Sequence, residues 1–155
     1  MKNKKIYAIS IAIAILVGAL SALLTMNGMM HYDSLKQPFL SPPAFIFPIV
    51  WTILFTLMGI SSAKVYLSSS PHRNSALIIY AAQLIANFFW TILFFGFELR
   101  GFAFIWILVL IGLVIAMILS FNKVSKSAAY LQIPYLIWLI FAAYLNYFSY
   151  YLNIA

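Results

Sequence analysis

The chain has 155 residues, of which 66% are apolar and only 7% charged, and its mean hydropathy is +1.05. A soluble domain carries about a quarter charged residues, so a soluble surface of ordinary kind is excluded. The net charge of +7 is spread over the chain ends and connections rather than gathered into the basic face that nucleic-acid binding requires. With no cysteine, disulfides and thiolate metal sites are excluded as well.

Crossing a hydrocarbon core roughly 30 Å thick takes about 20 helical residues, and five apolar runs of that length follow one another. The first covers residues 6–26, behind Lys2, Lys4 and Lys5. A basic start before an apolar run also suits a signal peptide, but 21 residues exceed the usual 7–15-residue core of such signals; the run is read as a span. Within it Ala14, Gly18 and Ala22 recur every fourth residue, the small-residue stripe that lets helices approach closely.

The connection 27–41 is the longest polar one, carries His31, Asp33 and Lys36, and is the candidate lid. The second run, 43–63, follows Ser41 and Pro42, which read as N-cap and first helical residue. Pro48 then falls about a turn and a half inside, and should kink the helix or free a carbonyl. The third and fourth runs are 76–97 and 101–122; the fifth, 128–154, has Pro134 similarly placed. None shows the alternating polarity of a transmembrane strand. Short joints make sequential helices antiparallel neighbours. The expectation is an all-α integral membrane protein, a five-transmembrane-helix bundle forming a single domain over residues 1–155. No internal repeat of the transporter kind is visible.

Orientation follows from the Lys/Arg bias of short loops. One side receives Lys2, Lys4, Lys5, Lys64, Arg73, Lys123 and Lys126; the other only Lys36 and Arg100. This predicts the N-terminus in the cytoplasm and the C-terminus outside.

No Asp, Glu, Lys, Arg or His lies at mid-depth in any run, which counts against ion-coupled transport. The same census counts against a protein-ligated haem and a zinc or di-iron site, so no metal is expected. What remains are amides and aromatics on helix faces, positions three or four apart sharing a face. Gln83, Asn87 and Trp90 share one in the third run; Trp51, Phe55, Met58 and Ser62 in the second; Trp138, Ala142, Leu145 and Asn146 in the fifth. Buried amides need partners. Two readings stand: interhelical hydrogen bonds between the spans, or a ligand pocket between the second, third and fifth spans. Its walls would be Trp51, Phe55, Trp90 and Trp138, with the amides orienting the ligand. Trp106 reads as an interfacial anchor.

These residues also carry a resemblance. Lys36, Pro38, Ser41-Pro42-Pro43, Phe47-Pro48-Ile49-Val50-Trp51-Thr52, Leu57-Met58-Gly59, Gln83 with Asn87 and Trp90, Phe94-Phe95-Gly96, Pro134-Tyr135, Trp138, Phe141-Ala142 and Leu145-Asn146 occur in order along the whole chain. The sequence resembles the translocator protein family, also called tryptophan-rich sensory protein, TspO or peripheral-type benzodiazepine receptor, and most of all its bacterial, Bacillus-like members. The resemblance implies a five-helix protein of the bacterial cell membrane, usually a homodimer, that binds tetrapyrroles such as protoporphyrin IX and needs no cofactor. In animal members it implies cholesterol and benzodiazepine-type drugs as ligands.

Carried over by position, the ligand-binding residues would be Tyr32, Trp51, Phe55, Asn87, Trp90, Trp138 and Ala142, with Ala22 and Pro42 at the edges. Gln83 and Asn146 join them from the face reading. Two departures stand out. No basic residue follows Leu145 and Tyr147, which removes the cholesterol motif of animal members and counts against sterol binding. Phe88 replaces a tryptophan common in the family, aromatic for aromatic. The implied function is binding of protoporphyrin IX and benzodiazepine-type ligands, in porphyrin transport or stress sensing. The alternative is light- and oxygen-dependent porphyrin breakdown with Trp51 and Trp138 as catalytic electron donors, although no side chain carries an acid/base or nucleophile signature.

Overall fold

The computed structural model describes residues 2–153, apart from the side chains of Lys2 and Met29. Its elements are α1 (Lys2–Leu24), α2 (Met26–Asp33), α3 (Ile46–Tyr66), α4 (Arg73–Thr91), a π turn (Ile92–Gly96), α5 (Arg100–Asn122), α6 (Lys126–Leu131) and α7 (Ile133–Leu152). Among the described residues there is no strand. Five helical stretches are long and apolar enough to cross a bilayer: Asn3–Leu24, Ile46–Tyr66, Arg73–Gly96, Arg100–Asn122 and Lys126–Leu152. Residue 154, the far end of the fifth expected span, lies outside the described residues.

Sequential spans pack side by side, and α1 lies against α3 over much of its length. Small residues set that approach. A Cβ on Gly59 would stand 2.4 Å from the Ile11 backbone, and one on Gly18 would stand 2.4 Å from the Phe55 ring. Ala14 in the same stripe is wholly buried. Away from this seam α1 is largely exposed, Leu16 and Leu23 among its outward residues, as lipid contact requires.

Cross-links through polar groups join the remaining helices. Ser61 Oγ donates to the Ala128 carbonyl (2.7 Å), tying α3 to α6. Trp106 Nε1 donates to the Ala86 carbonyl (2.7 Å), tying α5 to α4. Trp106 is therefore an interhelical clasp; its half-buried indole meets a backbone carbonyl in the second half of α4.

The prolines sit elsewhere than the sequence suggests. Helix α3 begins at Ile46 with Phe45 at the cap, so Ser41, Pro42 and Pro43 belong to the preceding connection, closed by an Ile46 N–H to Pro43 carbonyl turn (3.0 Å). Pro48 is then in the first helical turn, where its missing N–H has no intrahelical partner to lose. It need not kink the helix. The fifth span does break, between α6 and α7 at Gln132, with Pro134 opening the new helix.

The expected loop 27–41 is half helix: α2 occupies its first part. A Cβ on Gly28 would fall 1.7 Å from the Phe95 carbonyl oxygen, so α2 rests directly on the π turn. The rest of the connection is tied to α7. Lys36 and Asn153 exchange two hydrogen bonds (3.2 and 3.1 Å), and the Tyr144 hydroxyl donates to the Phe39 carbonyl. The connection lies over this end of the bundle, the loop end.

Candidate functional site

The third and fifth spans both run toward the loop end, which brings their polar faces into register. The Tyr135 hydroxyl donates to Gln83 Oε1 (2.7 Å) and accepts from Asn87 Nδ2 (2.8 Å); Gln83 Nε2 reaches Met58 Sδ at 3.9 Å. Two turns further on, Trp90 Nε1 donates to Asn146 Oδ1 (3.0 Å), whose Nδ2 donates to the Arg100 carbonyl (2.8 Å). Gln83, Asn87 and Asn146 are each buried. Each such interhelical bond is worth about 0.6 kcal/mol in a membrane protein on average, but leaving an amide unpaired costs more. The buried amides thus fasten α4 to α7, and α7 to the start of α5.

Aromatic rings fill the space beside this seam. Trp51 contacts Phe55 (5.6 Å between centroids), Tyr135 (6.2 Å), Trp90 (6.4 Å) and, edge-on at 90°, Trp138 (6.4 Å). Tyr32 of α2 plugs the loop end, packed against Phe47, Phe94 and Phe95 at 5.5–5.7 Å. The π turn makes this possible. Its wider winding, with the Phe97 N–H on the Ile92 carbonyl (2.8 Å), buries the consecutive rings Phe94 and Phe95 together, and such turns often mark functional sites. The interstice between Tyr32, Phe47, Trp90 and Ala142 is small, about 210 Å³ even counted generously.

The open site is on the other side of Trp51. A cleft of about 440 Å³, counted to its mouth, is bounded by Gly18, Ser21 and Ala22 of α1, by Phe47, Pro48, Trp51 and Phe55 of α3, and by Asn87, Thr91 and Phe95. It continues past Ile15, Ala19 and Thr52, so it opens sideways between α1 and α3. No titratable side chain lines it. Its polar content is the Ser21 hydroxyl, bonded to the Gly18 carbonyl (2.9 Å), the Thr52 hydroxyl, bonded to the Pro48 carbonyl (2.7 Å), the Thr91 hydroxyl and the Asn87 amide. Such a cleft can hold a flat apolar molecule and orient it by hydrogen bonds. It cannot supply a proton or a nucleophile from its own walls.

Of the expected site residues, Ala22, Trp51, Phe55 and Asn87 line the cleft. Trp138 stands behind Trp51, with its Nε1 buried and unpartnered. Tyr32, Trp90 and Ala142 border the small interstice. Gln83 and Asn146 are spent on the seam, and Pro42 lies in the connection before α3. Between the second, third and fifth spans, where the face pattern puts the pocket, lies the small interstice of Phe47, Trp90 and Ala142, beside the seam filled by Tyr135 and the amide pairs; the wider cleft lies between the first, second and third. Gly18, Phe47, Pro48 and Phe95 complete the cleft. The first had been visible only as part of a packing stripe.

Fold and site together define a helical integral membrane protein with five spans and an uncharged aromatic cleft between the first three. Residues 10–152 match the TspO/MBR family. The chain is 38% identical over 120 residues to the tryptophan-rich protein TspO of Chlorobaculum tepidum, covering 76% of this chain and 75% of that one. It is 36% identical to the tryptophan-rich sensory protein of Cereibacter sphaeroides (79% and 76% covered) and 37% identical to the translocator protein of Ovis aries (78% and 73%). The chain belongs to the TspO/MBR family.

Proposed function

We propose that the protein binds a tetrapyrrole of the protoporphyrin IX type in the α1–α3–α4 cleft, as part of a transport or sensory role in the bacterial cell membrane. The single observation that carries this reading is the half-buried Trp51 face on the wall of an uncharged cleft open toward the bilayer. A flat macrocycle stacks on indole and phenyl faces, and the carboxylates of the ligand extend toward the polar loop end. Benzodiazepine-type molecules, smaller and also aromatic, suit the same walls. The names of the relatives, translocator and sensory protein, support the role. No resident cofactor enters this reading.

The Lys/Arg bias supports a cytoplasmic N-terminus and an external loop end, and the family resemblance supports a homodimer. The missing basic residue after Tyr147 keeps sterols outside the proposal. The test is titration of purified protein with protoporphyrin IX, followed by tryptophan fluorescence. Saturable quenching is expected, weakened in Trp51→Phe; linear, non-saturating quenching contradicts the reading.

A second reading has its own observation. Trp51 and Trp138 meet edge-on at 6.4 Å, and Trp138 Nε1 has no partner, so two oxidisable indoles adjoin the cleft. Under light, with molecular oxygen as oxidant, a bound porphyrin could be broken down with the indoles as electron donors. Bleaching that proceeds at equal rate with denatured protein excludes this.

A further inference from the structure

A second feature lies at the loop end, where residues 97–99 turn into α5. A groove of about 650 Å³, counted to its open mouth, is bordered there by Glu98, Arg100, Gly101, Phe102, Ser149 and Asn153. The first α5 bond closes from the Ala103 N–H to the Leu99 carbonyl (2.7 Å). The N–H groups of Arg100, Gly101 and Phe102 therefore have no partner within the helix, and they stand at the positive end of a 23-residue dipole.

Two side chains add to this end. Ser149 is wholly buried, yet its Oγ, on the groove wall, has no hydrogen-bond partner. Arg100 Nε is also buried and unpartnered. The guanidinium lies over the Phe94 ring at 5.8 Å and reaches Glu98 only loosely, Nη2 to Oε1 at 3.6 Å. Asn153 is already committed, its Nδ2 donating to the Lys36 and Ser149 carbonyls. Glu98 is the one anion present; it also pairs with His31 at 3.5 Å. A buried hydroxyl and a buried guanidinium nitrogen without partners, beside a free helix N-terminus, together form a donor set suited to an oxyanion.

We propose that this groove binds a phosphate group, held by the first-turn N–H groups of α5, Arg100 and the Ser149 hydroxyl. Glu98 acts as a built-in competitor that occupies the guanidinium until the phosphate displaces it. The phosphate belongs either to a membrane lipid or to a free anion. The exposed rings of Phe102 and Tyr150 flanking the groove offer apolar surface to acyl chains. The proposal does not rest on tetrapyrrole binding, since no residue is shared between groove and cleft.

The test uses the full chain in detergent. Inorganic phosphate is titrated while the backbone amide resonances of Gly101 and Phe102 are followed; in parallel, retention of phosphatidylglycerol against diacylglycerol is counted by native mass spectrometry. Saturable shifts at both amides, or retention of phosphatidylglycerol alone, support the site. Displacement of the phosphate by the lipid identifies a headgroup site, and shifts indifferent to lipid identify a free-anion site. Arg100→Gln and Ser149→Ala should each weaken binding about tenfold, as loss of a charged hydrogen bond does. Arg100→Gln should still fold, because Asn146 holds α5 through the Arg100 carbonyl. Glu98→Gln should strengthen binding several-fold. The proposal is overturned by absence of both shifts and retention, by unchanged affinity in the two weakening variants, or by weaker binding in Glu98→Gln.

Discussion

Tyr135 shows how one hydroxyl can decide the layout of a membrane protein. It donates to Gln83 and accepts from Asn87, so two amides from adjacent turns of α4 are satisfied by a single residue of α7. Tyr135→Phe should leave Gln83 Oε1 and Asn87 Nδ2 buried and unpaired, at a cost of about 1–3 kcal/mol for such a group. A lowered melting temperature in detergent, with helical content unchanged, is the expected reading; an unchanged melt means that water or lipid replaces the hydroxyl at no cost. The partners of the amides were not legible in the sequence. Spacing places Gln83, Asn87 and Trp90 on one face, but a face does not say whether its amides look at a ligand or at another helix. Tyr135 takes up Gln83 Oε1, and Asn146 Oδ1 takes up Trp90 Nε1.

At the scale of elements, the two glycines of the α1–α3 seam and Gly28 have distinct consequences. Gly59 faces the Ile11 backbone, which cannot step aside as a side chain can. Gly59→Leu should therefore push α1 from α3 and lower stability by about 1–3 kcal/mol, the usual range for overpacking, read as a fall in melting temperature. Gly28 lies on the Phe95 carbonyl. Gly28→Val should lift α2 from the π turn and expose Tyr32, seen as faster amide hydrogen exchange across Met26–Asp33 while α5 keeps its protection. Equal exchange in variant and wild type would mean that the lid is held by its Lys36–Asn153 and Tyr144–Phe39 ties alone. The five long helices were legible because each is an unbroken apolar run with charges at its ends. The π turn and α2 were not: both depend on how Phe94, Phe95 and Gly28 meet in space, and neither carries a periodic signal of its own.

For the whole molecule, the distribution of Lys and Arg sets a topology that can be checked simply, since the chain has no native cysteine. Single cysteines at Ser69 and at Ser34 should label from opposite sides of intact cells, Ser34 alone reacting with an impermeant thiol reagent added outside; the reverse pattern inverts the bundle. The cleft between the first three spans is the feature on which the functional reading turns, and Gly18 is one of its walls, with the Phe55 ring 2.4 Å from where a Cβ would sit. Protoporphyrin IX titration of Gly18→Leu beside Trp138→Phe, each first shown to melt near the wild-type temperature, separates the cleft from the aromatic interior behind it. Binding lost in Gly18→Leu and kept within a few-fold in Trp138→Phe is expected. Wild-type affinity in Gly18→Leu would contradict the cleft as the binding site.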